Sequence, residues 1–470
     1  MSRISVPDAR LTRSQSVRTL ERPKRVLRSR QAENQLRASR AEPVSKAINP
    51  ASDRVKLGWP VVALCWSLII PWIIPLGSLS MQPYRIVLIV TFFPALFRIF
   101  GGKAGRIGVA DVAILLFSCW ICVALVMAHG LPGAVEQAGS QVLETLGTFM
   151  VARAYIRSSR DYEALARLLF VIVGMVLFPL ALLEVATGRN IVLELASKIL
   201  PTHIINYQPP RMGIRRVQSV FEHPILFGVF CSGALAMTYV VRGHAKSATR
   251  RLASTGIVAV TAFLSMSSGP MSTVIVQVML LTWDKVLGKL KNRWWLLIGG
   301  FFSLVLVLDL LSNRPLPAIL FSYFALDEAS AYFRLLIWEF GSQSVLNHPI
   351  FGVGLGEWDR PEWMPFSVDM FWLVNAIVGG IPAAVFMTVA FFSTTLSVGF
   401  AKGLDARAER CRLAFLISMC GFFLAGWMVH FWGATYVLFI LLLGSGRWMA
   451  DLAGPDAGRR AVRAEQDDLR

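Results

Sequence analysis

The sequence predicts an all-α integral membrane protein of about 12 transmembrane helices with one large outward-facing loop between the ninth and tenth spans. Three observations predict it. Of 470 residues, 55% are hydrophobic and 16% charged, and the mean hydropathy of +0.56 lies outside the range of soluble chains. Apolar windows of bilayer length recur along most of the chain, and Lys and Arg collect in alternate connections between them, as cytosolic loops require.

The chain opens with a tail, residues 1–57, that holds fourteen Lys and Arg against five acids, a net charge of +9. No apolar stretch follows its first charges, so it reads as a disordered cytosolic tail and not as a cleavable signal. Without interleaved aromatics or a folded module it points to topology and anionic lipid, with no nucleic acid as partner. The polytopic domain, 58–449, contains windows at 58–79, 83–100, 108–128, 138–156, 163–186, 223–241, 252–268, 270–284, 295–312, 369–400, 411–429 and 431–449. Gln141 and Glu144 weaken the fourth window, and the eighth is short, opening at the SSGPMS break. Residues 450–470 form a second tail.

With the amino terminus inside, the even connections carry Arg98, Lys103 and Arg106; Arg153, Arg157 and Arg160; Arg242 to Arg251; Lys285 to Arg293; and Lys402 to Arg412. Both termini are then cytosolic. All six Cys lie in or beside apolar runs and read as small buried hydrophobes; CWIC at 119–122 has no strand before it to make a redox motif.

Only two outward loops are long, 187–222 and 313–368, and both break the charge rule. The first contains Arg189, Lys198, Arg211, Arg215 and Arg216, and the second Arg314, Arg334 and Arg360. Arg suits phosphate oxygens because its planar fork gives two parallel charge-assisted hydrogen bonds and stays protonated. Arg211 and Arg215 are spaced to share one face of a helix, with Arg216 beside them. Arg334 lies in YFRLLIWEF, where it points into the loop for a ligand or pairs with Glu339 or Asp327.

The segments EHPILFG (222–228) and NHPIFGVGLG (347–356) echo each other. His-Pro before an apolar run fits two helix entries, and His223 and His348 are alternatively proton carriers or metal ligands. No HxxxH, DxD or Cys/His spacing supports a metal site, so no metal ligands are expected. GVGLGEW lacks the context of a nucleotide loop and reads as a bend that lets backbone approach a ligand. Asp369, ahead of a long apolar span and beside Phe371 and Trp372, suits a general base whose pKa is raised by desolvation; it equally suits a helix N-cap.

LALLEVATGRN (180–190), RRVQSVFEHPILFG (215–228), SMSSGP (265–270), the RLLIWEF to HPIFGVGLG run and DMFWLVNAIVGGIP resemble, in order across about 150–390, the O-antigen ligase and O-antigen polymerase superfamily. Within it they look most like polymerases of bacterial exopolysaccharide. The resemblance implies a glycosyltransferase of the bacterial inner membrane that needs no metal or other cofactor, with the loops 187–222 and 313–368 in the periplasm. Its expected partners are an undecaprenyl-pyrophosphate-linked oligosaccharide, the growing polysaccharide, membrane lipid, and chain-length and export proteins.

Carried over, the family's first-loop Arg falls on Arg216, with Arg215 and Arg211 as neighbours, and its second-loop Arg on Arg334. These would hold the pyrophosphate leaving group, and catalysis would then need charge stabilisation and a base. Ligases of the superfamily begin the last motif with His-Asn where Asp369-Met370 stand here, which favours polymerase, makes Asp369 the expected base and leaves His348 as its rival. A ligase and a lipid-linked sugar flippase are the alternatives. A flippase should place its ionisable residues within the spans, where only Asp111, Glu144, Glu184 and Asp309 stand.

Overall fold

The structure, a computed structural model, describes residues 57–452 except 78, 245 and 313–327. Most of both tails, and Arg314 and Asp327 of the second long loop, lie outside the described residues.

The described chain is predominantly helical, with one two-stranded hairpin, and seven of its helices are long and apolar enough to cross a membrane. This is the pattern of an all-α membrane protein. The elements are α1 (Trp59–Ser67), β1 (Ile74–Leu76), β2 (Leu79–Met81), α2 (Pro83–Phe100), α3 (Val109–Tyr155), α4 (Ser159–Thr187), α5 (Ile191–Ala196) and α6 (Pro224–Arg242). There follow α7 (Ala248–Phe263), α8 (Ser268–Val286), α9 (Arg293–Leu311), α10 (Glu328–Asn347), α11 (Phe371–Gly399), α12 (Ala406–Ala425) and α13 (Gly433–Leu452). α6 and α13 are apolar all round and almost wholly buried at the centre, whereas α9 buries none of its side chains against the protein.

One expected window and one expected loop fold differently. The window, 58–79, is helical only through α1, because Pro71 lacks the backbone donor that would continue the helix from Ser67, and Pro75 lies in the strand that follows. The chain continues extended, with Ile73 N donating to Pro201 O at 2.7 Å, and then enters the β1–β2 hairpin. The expected outward loop 129–137 is almost entirely helical. α3 breaks only at Gly130 (φ 71°, ψ 164°), with Pro132 following. Asp111 Oδ1 nonetheless lies 2.8 Å from Arg153 Nε, although a straight helix would hold residues this far apart in sequence about 63 Å from each other. The break therefore folds α3 into a two-armed hairpin.

α11 is broken in the same way at Gly380 (φ 72°, ψ 179°), with Pro382 two residues on. The first piece, Phe371 to Gly379, is a half-helix about 13 Å long. A break leaves the last carbonyls of a half-helix without their usual donors. Here Val353 N donates to Ile377 O (2.8 Å), Gly354 N to Val378 O (3.1 Å) and Trp120 Nε1 to Gly379 O (2.8 Å). Across the break, Ile381 N donates to Pro349 O at 2.8 Å. The glycine-rich loop does bend the chain, with Gly352 and Gly354 at positive φ, but the backbone it approaches is that of the half-helix.

Candidate functional site

The site is built at the start of α8. Ser267 is its N-cap, yet the Ser267 hydroxyl donates to Ser265 O (3.0 Å) and does not cap the helix. The first-turn amides of a helix have no partner within it, and their dipoles favour an anion. Three guanidinium groups from two other segments converge there. Arg216 Nη2 donates to Ser267 Oγ at 2.9 Å, Arg334 Nη2 to Ser268 Oγ at 3.2 Å, and Arg211 Nη1 to Met266 O at 3.3 Å. Arg334 Nη1 also donates to Ser330 O (3.2 Å), which sets the guanidinium against its own helix, α10. A cleft of about 500 Å³ opens beside them, lined by Gln208, Pro209, Pro210, Arg211, Arg216 and Met266.

Arg211 and Arg215 do not share a helical face. Met212 and Gly213 have φ of 51° and 74°, and Arg211 and Ile214 exchange backbone hydrogen bonds at 3.0 and 2.9 Å, which makes a tight two-residue hairpin turn. The turn sends the two side chains to different partners. Arg215 Nε lies 3.4 Å from Glu184 Oε1, its Nη1 donates to Gly188 O at 2.5 Å, and its guanidinium lies over the Tyr207 ring. Arg215 thus ties the loop to the end of α4, while Arg211 and Arg216 face the cleft.

Burial and the charge of Arg211 push the Arg216 pKa down to about 10, which leaves it protonated at neutral pH. Its Nε is buried without a hydrogen-bond partner. Arg334 is 7% exposed, and its charge acts on Asp369. Burial raises the Asp369 carboxyl above the ordinary carboxylate range, and Arg334 partly offsets the rise. Asp369 is not the N-cap of α11: that position is Met370, and the helix receives no side-chain cap.

His348 lies apart from this group. It follows the last residue of α10, fourteen residues from Arg334, or about 21 Å along the helix. Its ring is 47% exposed and lies 3.7 Å from Asp359. The two His-Pro segments also differ. His223 Nδ1 accepts from Ile225 N (3.1 Å) as the N-cap of α6, whereas His348-Pro349 leaves a helix and carries the carbonyl that Ile381 uses.

Sequence reasoning missed Ser267, Ser268 and Gln208, which position the arginines. SMSSGP showed the signal, since Ser before a Gly-Pro turn and an apolar run marks a helix start. It also missed Gln218, whose side chain accepts from Asn206 N (2.8 Å) and donates to Phe221 O (2.8 Å), folding the first long loop over the site. Among the described residues no three His, Cys, Asp or Glu side chains come together as metal ligands. No family model matches the chain, and no curated protein is significantly similar to it in sequence.

Proposed function

We propose that the chain is a polysaccharide polymerase that joins undecaprenyl-pyrophosphate-linked oligosaccharide repeat units at the periplasmic face of the bacterial inner membrane. One observation carries the reading: Arg211, Arg216 and Arg334 meet at the start of α8, beside a cleft, with the carboxyl of Asp369 in electrostatic reach of Arg334. Three cations at a helix N-terminus are chemically matched to a pyrophosphate. In the proposed reaction Asp369 takes the proton of the acceptor hydroxyl, whose oxygen forms the new bond to the anomeric carbon. The bond from that carbon to the pyrophosphate oxygen breaks, and the arginines stabilise the departing charge.

The proposed topology has twelve passes: α1 with the extended segment after it, α2, the two arms of α3, α4, α6 to α9, and α11 to α13. It puts the cleft on the outer side and both termini in the cytosol. The separation of His348 from the arginines favours polymerase over a ligase that uses His as base. The pairing of Asp111, Glu144 and Glu184 with arginines speaks against a flippase that needs charges free within a central path.

The test is binding of undecaprenyl pyrophosphate to the purified protein in lipid nanodiscs. Saturable binding that weakens in Arg216→Ala is expected, and equal affinity in wild type and variant would remove the arginines from the donor site.

A further inference from the structure

The second arm of α3 carries a polar stripe that the donor site does not use: Gln137, Gln141 and Glu144 recur on one face of the helix. Together with Asn375 of the half-helix and Trp432 and Tyr436 at the start of α13, they line a cavity of about 140 Å³. The rest of the lining includes His430 and the apolar Phe371, Val374 and Phe431. Glu144 is matched by Arg85, whose Nε lies 2.8 Å from Glu144 Oε1, and Tyr84 donates to the same oxygen at 3.0 Å. The cavity therefore presents the Glu144 carboxylate, matched from outside the lining by Arg85, together with three amides, the His430 imidazole and five aromatic rings.

That inventory selects a ligand class. An anion would need an unmatched cation, and a metal ion several oxygen ligands bearing negative charge. Amide side chains both donate and accept, as hydroxyls do, and amides set among aromatic rings match a sugar ring with its hydroxyl edge and its C–H face. A cavity of roughly 150 Å³ accommodates a benzene-sized ring, so this one takes the ring of a pyranose with its outer substituents left at the mouth. Its position fits as well. Phe371 N donates to Val429 O at 3.1 Å, so the wall residue Phe371 stands two positions from Asp369 and holds the 429–432 segment beside it.

We propose that this cavity seats one pyranose ring of the acceptor glycan, whose hydroxyl is thereby presented toward Asp369. The proposal rests on the polymerase reading for the role of the sugar, and not for its binding. Gln137 is exposed near the mouth and Gln141 is partly buried, its amide donating to Tyr436 OH at 3.3 Å, so Gln137→Leu perturbs the fold least and Gln141→Met probes deeper.

The experiment uses the full chain in nanodiscs and, as probe, the repeat-unit oligosaccharide released from the source strain's own surface polysaccharide, observed by saturation-transfer NMR. Wild type should give transfer to one ring of the probe, and each variant should bind about fivefold more weakly, the effect of one lost neutral hydrogen bond. Absence of transfer in wild type, or equal affinity in all three proteins, overturns the proposal. Undecaprenyl pyrophosphate binding is measured in parallel and should be the same in all three. If only the variants lose it, the cavity shapes the donor site and the acceptor assignment fails. If wild type binds the saccharide but not undecaprenyl pyrophosphate, the polymerase reading fails and the sugar subsite stands.

Discussion

Replacing Arg334 by Ala separates a role in chemistry from a role in folding. The guanidinium donates to Ser330 O and Ser268 Oγ, both at 3.2 Å, and neither acceptor is charged. Its removal strands no ion at those two oxygens and takes away one of three like charges gathered at the start of α8. The folding cost should include two exchanged hydrogen bonds and some stem packing, about 1–2 kcal/mol, while the buried Asp369 carboxyl loses a cation and takes up a proton more readily. Loss of a preorganised donor aimed at developing charge costs about 2.7–4 kcal/mol, or 10²- to 10³-fold in rate. Turnover of lipid-linked repeat units by purified protein, followed by release of undecaprenyl pyrophosphate, reads the second quantity. A thermal melt in the same detergent reads the first. A rate loss under about tenfold in folded protein, which is less than 1.4 kcal/mol, would refute the leaving-group role.

Three further predictions follow from the same geometry. As a base Asp369 acts ionised, so the rate should rise with pH through a pKa above the ordinary carboxylate range. Removing the Arg334 charge, which lowers that pKa, should move the rising limb to higher pH, and Asp369→Asn should abolish it; a pH–rate profile of each variant checks both. Arg215→Ala leaves Glu184 in a buried ion pair without its cation, so a stability loss of about 3 kcal/mol is expected, with activity per folded molecule retained. Chemical denaturation should show Glu184→Gln restoring much of it. Gly380→Ala places a side chain at φ 72° and drives its Cβ into the carbonyl of Ile350. It should destabilise by about 1–3 kcal/mol and free the 349–354 loop, as hydrogen exchange at Val353 and Gly354 would report.

The long apolar helices were legible because bilayer length leaves a strong mark on composition, and α6, α9 and α13 begin and end within a few residues of their windows. The first window misled because hydropathy averages over Pro71 and Pro75, which decide whether an apolar run is helical. The breaks in α3 and α11 rest on single glycines, and only contacts distant in sequence, such as Asp111 with Arg153, show what each break does. The candidate cations were visible as charges against the topological rule. Their sorting was not, because helical spacing puts Arg211 with Arg215, whereas the Met212-Gly213 turn sends Arg215 to Glu184. Asp369 was singled out by its aromatic neighbours, but its coupling to Arg334 depends on how α10 packs across the half-helix.

The most direct measurement of the central claim incubates the purified protein with lipid-linked repeat units extracted from the source strain deleted for this chain, and resolves the products by size. A ladder of lengthening glycan is expected, with one undecaprenyl pyrophosphate released for each unit added. Intact donor after prolonged incubation with folded wild-type protein, or single units moved onto a different lipid without chain growth, would contradict it.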